Sequence, residues 1–174
     1  MSVLHRTVLH TNGKKTVMTA EPLEIYLSAS ISNAHDNTLI AELFPTDQFF
    51  VHLPQKIVPD HLSHVEFPLH VYQQCIEMMT ASQIGLVLFD AFGRDCAWEC
   101  GWYAAQPDKQ LIGFVQSGSV FLRDWMVKGG LDALITTNPR LFEVCQKNPL
   151  LSQKKLKLIA HLHELPQAIL ACRS

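Results

Sequence analysis

The stretch Ile84-Gly85-Leu86-Val87-Leu88-Phe89 constrains the fold more than any other part of the chain. It is short, continuous and free of polar alternation, so it reads as a strand covered on both faces. Strands of that kind belong to parallel sheets, where crossover helices shield each side.

The rest of the chain fits such a sheet. Strands are expected at Leu23–Ala29, Gln48–Leu53, Gln110–Val115 and Leu131–Thr136. Helices are expected at Asn37–Phe44, from about Pro68 to Ser82, at Asp95–Gln106 and at Phe121–Lys128, the last closed by Gly129-Gly130. Asn138 can cap a helix that starts at Pro139, and two short helices, about 151–162 and 165–171, complete the pattern. Residues 54–68 read as a Pro-punctuated loop. Strand–helix alternation predicts an α/β fold: a Rossmann-like or flavodoxin-like parallel sheet of about five strands, with helices on both faces. Asn12-Gly13, between Val3–His10 and Thr16–Thr19, marks residues 1–22 as a hairpin or arm, leaving 23–174 as a single α/β domain. In open sheets of this type ligands bind beyond the carboxyl ends of the strands, which directs attention to the loops after Ala29, Phe89 and Val115.

Composition narrows the function. A chain of 174 residues with 48% hydrophobic and 17% charged residues is neither disordered nor a coiled coil. Its size implies that about 70% of the unfolded surface is buried on folding. Fourteen Lys and Arg against sixteen Asp and Glu give a net charge of −2 with no basic stripe, which argues against nucleic acid as a partner. The longest apolar run falls far short of the ~20 residues that cross a bilayer, and no signal peptide is evident. Five Cys, an odd count with no C-x-x-C, suit a reducing cytoplasm.

The densest chemistry lies in Phe89-Asp90-Ala91-Phe92-Gly93-Arg94-Asp95-Cys96-Ala97-Trp98-Glu99-Cys100-Gly101-Trp102-Tyr103, which leaves the best strand, turns at a glycine and enters a helix. Asp95 is placed to cap that helix and Glu99 lies one turn on along the same face. The helix macrodipole favours an ionised carboxylate in the first turn, and an ionised, oriented carboxylate is what attack at an anomeric carbon requires. The same spacing also serves plain helix capping.

Context separates these readings. The segments IYLSASIS, TASQIGLVLFD, DCAWECGWYAA and KQLIGFV resemble the nucleoside 2-deoxyribosyltransferase family, including the related 2′-deoxynucleoside 5′-monophosphate N-hydrolases. The resemblance covers about residues 23–136 and is most specific in the block Glu99, Gly101, Tyr103, Ala104. It implies a Rossmann-like sheet, a homo-oligomer, no cofactor, no metal, and cleavage of the N-glycosidic bond of a small-molecule nucleoside or nucleotide. It makes Glu99 the nucleophile and Tyr26 the residue that positions it.

The chain departs from the family pattern in places. The usual Gly-Thr before the Glu is missing, so Asp95 matches the loop Asp only across a gap, and Asp90 is the other claimant for substrate contact. A family Asp on the preceding helix aligns with Cys75, leaving Glu77 as the nearest acid. Strand 1 has Ala29 where Gly is common, then Ser30-Ile31, as in the monophosphate hydrolases. The resemblance therefore assigns Ser28, Ser30, Gly93 and Ser117, with Ser119 beside it, to substrate binding, Ser30 toward a 5′-phosphate. Phe92, Trp98, Trp102 and Tyr103 offer a wall for a base, although Trp98 and Trp102 share one helical stripe and also suit a core or subunit contact.

The implied reaction is a retaining double displacement through a glycosyl-Glu99 intermediate, resolved by a second base or by water. The alternatives are an NAD-type nucleotide glycohydrolase and a catalytically inactive nucleotide-sensing module on the same fold. A Cys96 nucleophile is a further rival, its thiol expected to be acidified near a helix N-terminus, with His52 or His35 as base. Nine His invite a metal reading, but neither His61/His64 nor His161/His163 has ligand spacing.

Overall fold

The computed structural model describes residues 21–58, 61–117 and 123–173. The expected arm at 1–22 lies almost wholly outside them. The described residues build one six-stranded, wholly parallel sheet in the order β2-β1-β3-β4-β5-β6, a flavodoxin-like α/β arrangement with one more strand than expected. The strands are β1 (Leu23–Ser28), β2 (Phe49–His52), β3 (Ile84–Leu88), β4 (Gln110–Val115), β5 (Ala133–Thr136) and β6 (Lys155–Leu158). The helices are α1 (Ala34–Ala41), α2 (Glu66–Ala81), α3 (Arg94–Ala104), α4 (Trp125–Gly130), α5 (Pro139–Lys147) and α6 (Leu165–Cys172).

Alternation along each strand divides the core in two. Leu23, Ile25, Leu27, Leu86, Leu88, Ile112, Phe114 and Ile135 pack on the side covered by α1 and α6. Tyr26, Val87, Leu111, Val115 and Leu134 pack on the side of α2, α3 and α5, with Met79, Cys96, Cys100, Tyr103 and Cys145 from those helices. Every residue of β3 is buried, as its unbroken apolar run requires.

The elements end where local chemistry ends them. Asn138 caps α5, its side-chain oxygen accepting from the Leu141 N–H at 3.1 Å, with Pro139 in the first turn. Ser82 closes α2, its hydroxyl donating to the Met78 carbonyl at 2.7 Å.

Four expectations are corrected. The helix placed at about 151–162 is a 3-10 turn, Leu151–Gln153, followed by β6. Lys155-Leu156-Lys157-Leu158 has the two-residue period of a strand, and its lysines suit a sheet edge, where charge discourages further pairing. Lys155 also donates to the Cys172 and Arg173 carbonyls at the end of α6 (3.2 and 3.0 Å). Helix α1 begins three residues earlier than expected and stops before Leu43. Helix α4 runs through Gly129-Gly130 rather than ending at them, and the expected start at Phe121 lies outside the described residues. The first residue before α3 is Gly93, so Asp95 sits inside the first turn and does not cap it. The Gly93 N–H instead donates to the Cys96 sulfur at 3.3 Å.

Gly85 fixes how near α3 approaches the sheet. A Cβ on it would stand 2.6–2.8 Å from three ring carbons of Tyr103, which is fully buried and donates to the Met79 carbonyl at 3.4 Å. The ring has no room to retreat. Gly85→Ala is therefore expected to cost about 1–3 kcal/mol, the usual scale of overpacking. Urea denaturation checks this, and an unchanged midpoint contradicts it.

Candidate active site

Tyr26 and Ser28 are two residues apart on β1, so both side chains emerge on the face that α3 covers. Glu99, one turn into α3, lies over them. The Tyr26 hydroxyl donates to Glu99 Oε1 at 2.6 Å, and the Ser28 hydroxyl donates to Glu99 Oε2 at 2.5 Å. Each carboxylate oxygen thus has its own donor, and both donors are all but removed from solvent. The site stands where β1 ends, beside the β1–β3 pair at which the chain reverses its direction of travel across the sheet. Ligands of doubly wound sheets bind at such a point.

Burial pushes the Glu99 carboxyl above its ordinary 4.5, and the Asp95 charge adds to the effect. The Ser28 and Tyr26 hydrogen bonds act the other way without cancelling it. Burial, reinforced by Glu99, holds the Tyr26 hydroxyl protonated far above its ordinary range, so it is a fixed donor. The thiols around the site are held protonated. Burial raises Cys75 and Cys96, and pushes Cys100 up to about 12. The expected acidification of Cys96 fails because its helix-terminal position is outweighed by its loss of solvent. Its proposed bases are engaged or distant: His52, paired with Tyr26 on the same face, is held by Glu24 at 2.7 Å, and His35 is exposed on α1, across the sheet.

The remaining sequence-derived residues divide into those near Glu99 and those set apart. Asp95 is exposed, four residues before Glu99 on the same helix. Gly93 lies against Ser30, its Cβ position 3.5 Å from the Ser30 Cβ, and Ser30 shares a hydrogen bond with Ser32 at 2.8 Å. Trp98 is half exposed and its ring faces Tyr72 of α2, centroids 6.3 Å apart. Asp90 and Ser117 engage each other: Asp90 accepts from the Ser117 hydroxyl (2.6 Å) and from the N–H groups of Gln116 and Ser117 (2.6 and 2.9 Å), tying the exit of β4 to that of β3. Phe92 stacks on Phe89 at 5.6 Å, and Trp102 packs edge-on against Tyr103. Ser119 lies outside the described residues. Sequence reasoning did not foresee that Tyr72 meets Trp98, nor that Ser28 faces Glu99 rather than solvent.

A cavity of about 480 Å³ opens on the opposite side of the sheet, among Asn37, Ile40, Leu88, Asp90, Phe114 and Leu162, and does not reach Glu99. Among the described residues no three His, Cys, Asp or Glu side chains gather as metal ligands; His161 and His163 stack on each other, centroids 5.4 Å apart. No helix among them is long and apolar enough to cross a membrane.

No family model matches the chain, and no curated protein sequence matches it. Among solved structures, it is similar to a 2-deoxyribosyltransferase from the psychrotolerant bacterium Bacillus psychrosaccharolyticus. The two share 18% identity with a TM-score of 0.47, over 64% of this chain and 84% of that one.

The raised Glu99 pKa has a consequence for stability. The carboxyl costs the fold nothing while protonated, below its unfolded value near 4.5, and that advantage is lost as pH rises through the higher folded pKa. Glu99→Gln, which keeps an acceptor oxygen and carries no charge, is expected to melt at the same temperature as wild type at acidic pH. At neutral pH it should melt higher. Thermal denaturation at both pH values measures the difference, and a neutral-pH melting temperature below wild type contradicts it.

Proposed function

We propose that this chain cleaves the N-glycosidic bond of a nucleoside, deoxynucleoside or 5′-monophosphate through Glu99. The observation that carries the reading is the Glu99 carboxylate held by Tyr26 and Ser28 at the carboxyl end of β1. Support also comes from the block Glu99, Gly101, Tyr103, Ala104 and from Tyr26 on strand 1, which resemble the deoxyribosyltransferase pattern.

A half-buried carboxylate with one hydrogen bond to each oxygen is pre-aimed, and its reduced solvation means less water must be displaced before it attacks. One oxygen bonds to C1′ of the sugar as the C1′–N bond breaks. The electron pair goes to the base, which takes its proton from water. An acceptor, water or a second base, then bonds to C1′ and gives its proton to solvent as the carboxylate leaves, giving net retention. The Tyr26 hydroxyl stays protonated throughout and orients Glu99. Asp95, exposed one turn earlier, is suited to hydrogen-bonding a sugar hydroxyl, and Trp98 with Tyr72 to stacking the base. Asp90 has its oxygens committed to the 116–117 loop, so its part is to shape that loop. Ser30, beside Gly93, stays assigned to a 5′-phosphate. The homo-oligomer is part of the proposal too. Trp125 and Met126 are 72% and 89% exposed beside an apolar groove between α3 and α4, the kind of surface that seeks a partner.

A base-release screen across ribo- and deoxyribo-substrates, with and without 5′-phosphate and with NAD included, tests the reading. Wild type should release base from at least one of them. Glu99→Gln should lose at least about 10³-fold in kcat/KM, the scale on which removing a nucleophile acts, while remaining folded. Because the nucleophile must be ionised, wild-type kcat/KM should fall on acidification through a pKa above the ordinary carboxylate value. Release of base by NAD alone would move the assignment to a nucleotide glycohydrolase. Release from no substrate would leave a binding module.

A further inference from the structure

We infer that Ser28 is a positioning residue for Glu99, a second anchor that governs how readily the carboxylate departs from the sugar. The inference rests on the reading of Glu99 as the nucleophile. The family resemblance supplies Tyr26 in this role and places Ser28 among substrate contacts, whereas its hydroxyl is spent on Glu99 Oε2 at 2.5 Å.

Ser28 is 1% exposed, the last residue of β1, and pairs with Val87 of β3, so its backbone is held by the sheet and its side chain by burial. One donor alone would leave the carboxylate able to rotate about its bond to the methylene. Two donors on different oxygens fix the plane of the group, as a bidentate contact does. The anchors are unequal in place. Tyr26 is inside the sheet, with no exposed surface, and Ser28 is at the strand's carboxyl end, where the half-buried Ala29 and Ser30 follow. Oε2 is therefore the oxygen nearer the edge a substrate must approach. When the C1′–Oε2 bond forms, Oε2 gives up its charge and its bond from Ser28 weakens. When the acceptor bonds to C1′ and the C1′–Oε2 pair returns to Oε2, the Ser28 hydroxyl meets the returning charge. Ser28 thus acts on the second step more than on the first.

The other groups that reach Glu99 electrostatically are Tyr26 from β1, Cys75 from α2, and Asp95, Cys96, Cys100 and Tyr103 from α3. Ser28 and Tyr26 are the two that favour the ionised carboxyl.

The test compares wild type with Ser28→Ala, Ser28→Cys, which keeps the volume with a weak donor, and Ser28→Thr, which restores the hydroxyl. One readout needs no substrate: the Glu99 carboxyl is titrated by carbon-13 NMR, with Glu99→Gln to assign the signal. Ser28→Ala and Ser28→Cys should move that titration to higher pH, and Ser28→Thr should return it. The second is rapid-quench base release, with the glycosyl-enzyme followed by intact-mass spectrometry. The Ala and Cys variants should show a burst of base, an accumulated glycosyl-enzyme, and kcat lowered about ten- to a hundredfold, the effect of one hydrogen bond to a charged group. An unmoved titration in both variants overturns the inference, as does a loss of kcat with no burst and no accumulated intermediate. A moved titration in a protein whose wild type releases no base from any substrate supports the anchor and overturns the nucleophile.

Discussion

The missing side chain at Gly85 is the constraint on which the site depends. It lets the Tyr103 ring lie directly on the sheet, and Tyr103 is four residues from Glu99 on the same face of α3. The depth at which that ring seats therefore sets the height of the Glu99 carboxylate above β1. One methyl group more, and the helix would have to lift. The hydrogen bonds from Tyr26 and Ser28, at 2.6 and 2.5 Å, have no slack to follow it. Gly113 plays the same part in the next strand, its open position filled by the Phe89 ring, whose neighbours lead into α3.

Drawing a carboxylate partly out of solvent beside two hydroxyls and three thiols is poor strategy for stability alone. Loss of solvent raises Glu99, and its own ionisation works against the fold at neutral pH. Two donors compensate in part, and they fix the direction in which the group faces. A carboxylate held this way has lost part of its hydration, a cost that its two hydrogen bonds offset only in part. The thiols stay protonated for the same physical reason, loss of solvent.

The sheet keeps this chemistry apart from the cavity on its other side. The Ser30 N–H bonds the Ala91 carbonyl at 2.7 Å, closing the space between the ends of β1 and β3. Asp90, Ser117 and the cavity wall lie beyond that closure, and Glu99 lies on the near side. Two acids nine residues apart in the chain consequently have different work. Asp90 holds the 116–117 loop, while Glu99 is held by Tyr26 and Ser28.

Much of this was legible in the chain. A short apolar run without alternation, bounded by turn residues, reads as an interior strand, and a helix that starts just beyond it returns over the sheet, so β3 and α3 follow from local pattern, whereas Glu99 is singled out only by the family resemblance. The Asn138-Pro139 start of α5 follows from capping chemistry in the same way. Edge strand β6 was less legible, because its four residues are too few to establish a period and Leu151, Leu158 and Leu162 around it also recur at helical spacing. Tertiary structure alone decided that Ser28 meets Glu99 across 71 residues of chain, that Cys96 loses its acidity, and that Asp90 turns to the 116–117 loop. Those outcomes depend on which groups share a buried volume. Local sequence fixes the period of a strand or helix, but proximity and loss of solvent arise only when distant segments pack.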